Sequence, residues 1–158
     1  LVNLSKKALW IILSIIYTMP AIASPAKLYV STDGNDSWNG LYLTHKSGIN
    51  GPLLTLEAAR DILRSRRKEG RLAEGAVIYL RKGTYLLQRT LLFGPEDSGT
   101  EKYPVNISAY KNETVTIGGG RRITDWQPIS RGMYRAPLPM LDGKQWIFRE
   151  LFVNSEPL

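Results

Sequence analysis

The apolar positions of this chain change rhythm twice. They begin as a solid block: Lys6 and Lys7 precede "ALWIILSIIYTM", Ala8 to Met19, and Ala21-Ile22-Ala23 follows. Positive charge, an apolar run and small residues two apart form the layout that signal peptidase reads. The run has twelve residues, against the ~20 that cross a bilayer as a helix. Residues 1–23 are therefore expected to be a secretory signal, cut between Ala23 and Ser24, with a mature domain over 24–158. The chain starts with leucine rather than methionine, which fits an alternative start codon or a fragment.

After the short strand-like run Leu28 to Ser31 and the turn-rich stretch "TDGNDSWNG", the rhythm becomes helical. Leu56, Ala59, Ile62 and Leu63 recur on one face, Thr55 is placed to cap, Glu57 sits in the first turn and Gly70 supplies the stop. The spacing predicts a helix over Leu56 to Glu69. Beyond it the texture is β. Short apolar or alternating runs at Val77–Leu80, Thr84–Leu87, Thr90–Phe93, Val105–Tyr110, Thr114–Ile117, Arg122–Trp126 and Trp146–Val153 are broken by Gly, Pro, Asn and Asp. "AVIYLRKGTYLLQRTLLFG" and "PVNISAYKNETVTIGGG" each read as strand, turn, strand and stop, with Ile78 and Ile107 in matching places 29 residues apart. Such a repeat describes successive coils of a solenoid, and an apolar-faced helix at one end is a device that covers an open stack. The pattern alone leaves a β-sandwich open beside it.

Charge changes this picture little. Without Lys6 and Lys7 there remain 19 basic against 14 acidic residues, a net +5. Arg64 to Lys68 falls in the last turn of the expected helix, where cations meet the negative end of the dipole. A nucleic-acid surface would also need base-reading or stacking groups, which this helix lacks, so no nucleic-acid partner is expected. There is no cysteine, which excludes disulfides and a lipid-modified cysteine after the signal. Without either anchor, the expected location is secreted or periplasmic, with no stable membrane attachment after cleavage.

Candidate chemistry is sparse. "TVTIGGGRRITDW", Thr114 to Trp126, has the glycines and arginines of a phosphate loop, but that loop needs a helix after its glycines. "ITDWQPIS" is β-like and contains a proline. Gly118 to Gly120 are therefore read as a corner of positive φ between two strands, with Arg121 and Arg122 at a solvent edge. Asp33, Asn35 and Asp36 offer oxygen atoms of the type calcium takes, without the terminal glutamate of a full loop, and an Asx-turn is the favoured reading. No other cofactor is expected. His45, the one histidine, is too few for a zinc site. Trp38 stands in a polar loop, where its face suits stacking on a sugar ring. Trp126 and Trp146 border strands and are read as core or coil-edge residues.

The ordered series "YVSTDGNDSWNG", "GPLLTLEAARDIL", "VIYLRKGTYLLQRTLLFGPEDSGT", "PVNISAYKNETVTIGGGRRITDW", "MYRAPLP" and "RELFVNSEPL" resembles the N-terminal region of secreted bacterial right-handed parallel β-helix glycoside hydrolases. That set includes fucose- and xylose-releasing members and is more distantly similar to pectate-lyase-like polysaccharide lyases. The resemblance implies a mostly β chain, the first coils of a parallel β-helix with an N-terminal capping helix, and a polysaccharide or oligosaccharide substrate. It also implies that the catalytic carboxylates lie on coils downstream of Leu158, leaving this segment structural. A polysaccharide lyase or a non-enzymatic glycan-binding or adhesive protein of the same fold is the alternative.

Overall fold

The computed structural model describes residues 24–158 apart from Ala73, Pro139, Asp142 and Ser155. The expected signal segment, including Ala23, lies outside the described residues; Ser24 is exposed and precedes the first strand. No helix among the described residues is long and apolar enough to cross a membrane.

Three strands form a parallel sheet in the order β1 (Ala26–Val30), β2 (Ala76–Leu80), β4 (Val105–Ala109). Their register aligns Leu28 with Ile78 and Ile78 with Ile107, so the 29-residue offset seen in the sequence is a true stacking register. A second parallel pair joins β3 (Gly83–Leu86) to β5 (Val115–Gly118), with Tyr85 opposite Ile117. Its offset is 32 residues, because Gly83 pairs with Val115. The three additional residues are taken up in the turn Tyr110 to Thr114, where Lys111 adopts a φ of 52°. Each strand–turn–strand unit therefore lies on the one before it.

Alternation sorts the side chains of these strands into two faces. Leu28, Val30, Ala76, Ile78 and Leu80 are buried in one cluster with Leu53 and Tyr85. On the other face Tyr29 stacks on its register partner Tyr79 at 5.7 Å between ring centroids, and Tyr110 meets both rings edge-on. The single Tyr85 O–H has the carbonyls of Arg81, at 2.7 Å, and Val30, at 3.0 Å, as acceptors, so burying that phenol leaves no unpaired donor.

Helix α1 spans Leu56–Lys68 and drives Leu56, Ala59 and Leu63 into the same cluster, with Ile62 packed at its margin. Thr55 Oγ1 accepts from Ala58 N–H at the N-terminus, and Arg66, Arg67 and Lys68 occupy the last turn. The free side of β1 is not open. Tyr29 N–H donates to Gly40, Leu53 N–H to Tyr29 and Ser31 N–H to Leu53, so the loop after β1 folds back as an extra bonded edge.

The chain departs from the expected coils after Gly118. Thr90–Phe93 and Arg122–Trp126 form no strand, and within Trp146–Val153 only Phe152–Val153 does. In place of parallel coils come three antiparallel hairpins: β6 (Gln127–Ser130) with β7 (Met133–Arg135), β8 (Met140–Leu141) with β9 (Lys144–Gln145), and β10 (Phe152–Val153) with β11 (Glu156–Pro157). The turns explain the change. Arg131 and Gly132 both take positive φ between paired Ser130 and Met133, which is the primed two-residue turn that matches strand twist. Gly143 and Asn154 take positive φ in the corresponding loops of the other two hairpins.

Candidate functional site

The loop after β1 carries most of the residues singled out for chemistry, and it uses them to hold itself. Asn35 Oδ1 accepts from Ser37 N–H at 2.8 Å, the expected Asx-turn. Asp36 Oδ1 accepts from the N–H groups of Leu54 and Thr55, at 2.8 and 2.9 Å, and Oδ2 accepts from the Thr55 hydroxyl. That carboxylate thus docks the loop onto the start of α1 and orients the capping threonine. Among the described residues no cluster of three or more His, Cys, Asp or Glu is placed to hold a metal ion.

Trp38 is half-buried in this loop. Its indole stacks on the His45 ring, 4.3 Å between centroids and 14° between planes. The backbone of Gly51 lies against its six-membered ring, where a Cβ would stand 2.2 Å from Cε3. One indole face is therefore already taken by His45, whose Nε2 is 3.3 Å from the Gly48 carbonyl.

Gly118 to Gly120 make neither a phosphate loop nor the expected left-handed corner. Residues 119–126 are neither helix nor strand, and none of the three glycines has positive φ. Added Cβ atoms at Gly119 and Gly120 would meet nothing within 4 Å. The arginines beyond the glycines are more informative. Arg121 donates to the side-chain and backbone oxygens of Gln88, and Arg121, Arg122 and Trp126 line a groove of about 1090 Å³ with Trp146, Arg149 and Glu150. Trp126 is 50% exposed, which excludes the core and leaves the edge position of the two expected; its Nε1 donates to the Ile123 carbonyl, which fixes the indole at the groove. The sequence offers for this groove a tryptophan four residues beyond an arginine pair and, further on, the tryptophan and arginine of "WIFRE".

A second groove, of about 850 Å³, lies between the first turns of α1 and β3 and is lined by Asp36, Glu57 and Asp61. Asp36 is fully engaged with Leu54 and Thr55, and Asp61 pairs with Arg60 at 2.8 Å. Only Glu57 is left uncommitted there. Among the described residues Glu150 is the single carboxylate lining the larger groove, and neither groove offers the two free carboxylates, about 5–10 Å apart, that glycoside cleavage uses.

The remaining engaged acids are structural. Asp97 accepts two bonds from the Arg64 guanidinium, at 2.7 and 2.6 Å, and one from Gly94 N–H, with Glu96 also on Arg64. The guanidinium bonds hold the Asp97 carboxyl below the usual carboxylate range and raise the Arg64 pKa in return. Glu113 accepts from Arg81 Nε and from Lys82 N–H, and its pKa is lowered by the Arg81 bond first.

No family model and no curated protein matches the chain. A solved structure named a glycoside hydrolase matches it at 32% identity and a TM-score of 0.70, over 84% of this chain and 21% of that one. The chain has a glycoside-hydrolase-like fold over the matched region and spans about a fifth of the length of the protein it resembles.

Proposed function

We propose that this chain is the helix-capped N-terminal portion of a secreted right-handed parallel β-helix carbohydrate-active enzyme, a glycoside hydrolase acting on plant or algal polysaccharide, whose catalytic carboxylates lie outside it. Its own contribution is to close one end of the coil stack and to template the later coils.

One observation carries this reading: burial collapses from the second coil to the third along continuous side-chain columns. Leu28 and Ile78 are 0% exposed, while Ile107, next in the same column, is 41% exposed; Tyr85 is 7% exposed and its partner Ile117 47%. Fully burying such a side chain is worth about 1.5–3 kcal/mol, and part of that is recovered when a further coil covers the column. Helix α1 and the Gly40–Leu53 loop meanwhile protect the β1 side. A stack closed at one end and open at the other is what the first coils of a solenoid look like. The likeness to a fifth of a glycoside hydrolase supports the same assignment.

The test is a glycan panel run on this chain beside the product of the native reading frame extended past Leu158. Release of reducing sugar by the extended product alone is the expected result. Hydrolysis by the 158-residue chain itself would overturn the reading; unsaturated products from the extended form would replace hydrolase with lyase.

A further inference from the structure

The loop between β1 and α1 holds the two Asn-Gly pairs of the chain, Asn39-Gly40 and Asn50-Gly51, and brings them face to face. Asn39 Nδ2 donates to Asn50 Oδ1 at 2.7 Å, and Gly40 N–H donates to the Gly51 carbonyl at 3.0 Å. An Asn-Gly pair can react with itself, because a glycine carries no Cβ to keep its own nitrogen from the side-chain carbonyl carbon before it. An N–Cγ bond forms, the C–N bond of the side-chain amide breaks and ammonia leaves; water then opens the succinimide ring to aspartate or isoaspartate. Both asparagines are half-buried, so access to water does not separate them. Their bonding does. At Asn39 every reacting group is occupied: the Gly40 nitrogen by the Gly51 carbonyl, the amide nitrogen by Asn50, and the amide oxygen by Leu41 N–H at 3.0 Å. At Asn50, among the described residues, neither Gly51 N–H nor the amide nitrogen has an acceptor, and one bond from Asn39 holds the amide oxygen. The Asp33-Gly34 pair of the same loop closes to the same ring, and its Gly34 N–H is tied to the Ser31 carbonyl at 2.9 Å. Gly51 is the one glycine of the three whose nitrogen is left free.

We propose that Asn50 is a self-modifying site, deamidating in the folded protein by attack of the Gly51 nitrogen on its Cγ, while the fold keeps Asn39 intact. The isoaspartate product changes the loop. It routes the main chain through the former side chain and adds a methylene between residue 50 and Gly51. The main-chain carbonyl of Asn50, which accepts from Lys46 N–H at 2.7 Å, becomes a free carboxylate beside the chain. Gly51 is buried with the Trp38 ring against it, and its carbonyl accepts from Gly40. Two residues on, Leu53 is 0% exposed and bonds to Tyr29 and Ser31 along the side of β1. A longer main chain at residue 50 therefore loosens the edge that covers β1, and the capped end records its own age irreversibly. This inference is independent of the carbohydrate reading.

The experiment is peptide mapping by mass spectrometry, with fragmentation that separates aspartate from isoaspartate, on the native full-length product. Folded and urea-unfolded samples are incubated side by side at mildly alkaline pH. The expected result is conversion of Asn50 at least about tenfold faster than Asn39 in the folded protein, since Asn39 must first break the bonds on its nucleophile and on its leaving amide. Unfolding removes those bonds and brings the two to similar rates. Amide exchange on the same samples shows the N–H groups of Tyr29 and Ser31, which bond to Gly40 and Leu53, exchanging faster once residue 50 is isoaspartate. Asn50→Gln keeps an amide but needs a larger ring to cyclise, so ageing leaves exchange in that variant unchanged. Equal conversion of Asn39 and Asn50 in the folded protein, or an Asn50 that stays intact while the unfolded chain converts, would overturn the proposal. Unchanged exchange at Tyr29 and Ser31 beside a converted Asn50 would overturn its effect on the loop.

Discussion

A Cβ built on Gly34 would sit 2.1 Å from the Leu53 carbonyl oxygen and 2.8 Å from that of Pro52. Neither backbone atom can retreat, since Leu53 N–H bonds to Tyr29 and its carbonyl accepts from Ser31. Gly34→Ala is therefore expected to cost about 3 kcal/mol or more in stability, the range of overpacking with backbone displacement. Gly119→Ala and Gly120→Ala, where a Cβ meets open space and φ is not positive, should stay within about 0.5 kcal/mol of the parent. Urea denaturation of the three variants checks this, and a large loss at Gly119 or Gly120 would restore a special role to that corner. At this scale the sequence was right about Gly70, which ends α1 with a φ of 70°, and wrong about Gly118 to Gly120. The Asp33-Gly34 pair reads as a turn wanting positive φ, yet Gly34 is required by the close approach of a strand 19 positions away. The three consecutive glycines draw attention through composition alone. Long-range contact decides which glycine is irreplaceable, and one local string of letters does not carry it.

Helix α1 was legible to within a residue because every local determinant agrees there: the Thr55 cap, the apolar face, the acidic first turn and the basic last turn. The hairpins were not. Their apolar residues alternate as a coil strand's would, and Arg131-Gly132 is a weaker turn signal than Asn-Gly or Asp-Gly. The tether between α1 and the turn Pro95–Asp97 was also hidden, since Arg64 and Asp97 lie 33 positions apart. That tether has a pH signature. Asp97, 6% exposed in its side chain, has its pKa depressed first by the Arg64 bonds, so its stabilising effect is complete above its unfolded value, about 4, and disappears as pH falls through the depressed folded value. Arg64→Ala should lower stability at neutral pH, because it removes both guanidinium bonds to Asp97, and should flatten the acid limb of the melting temperature against pH. A variant that loses stability equally at neutral pH and below pH ~3 would show that Arg64 acts by packing and not by its charge.

Over the whole molecule, stacking was readable where the repeat was long enough to align. Ile78 and Ile107 were placed in register from the sequence, and the structure pairs them. The likeness to about a fifth of a glycoside hydrolase agrees with a stack that is finished on one side only. What the sequence could not display is burial, which belongs to neighbours and not to residues: the same isoleucine is buried at 78 and open at 107 because one has a coil on each side. The bonding pattern has a matching asymmetry. Tyr110 N–H donates to Leu80 on the β2 side, so the alternation of a parallel ladder turns the N–H groups of Ile107 and Ala109 toward the free edge of β4. An edge of that length is a template for a further parallel strand. Residue-resolved amide hydrogen exchange, on this chain and on the product extended past Leu158, decides whether β4 is the unfinished edge of a longer stack. An unfinished stack keeps Ile78 and Leu80 slow in both forms, and leaves Ile107 and Ala109 fast in this chain but slowed by at least about a hundredfold in the extended product, as their edge gains a partner coil. Equal exchange at Ile107 and Ala109 in the two forms would contradict it.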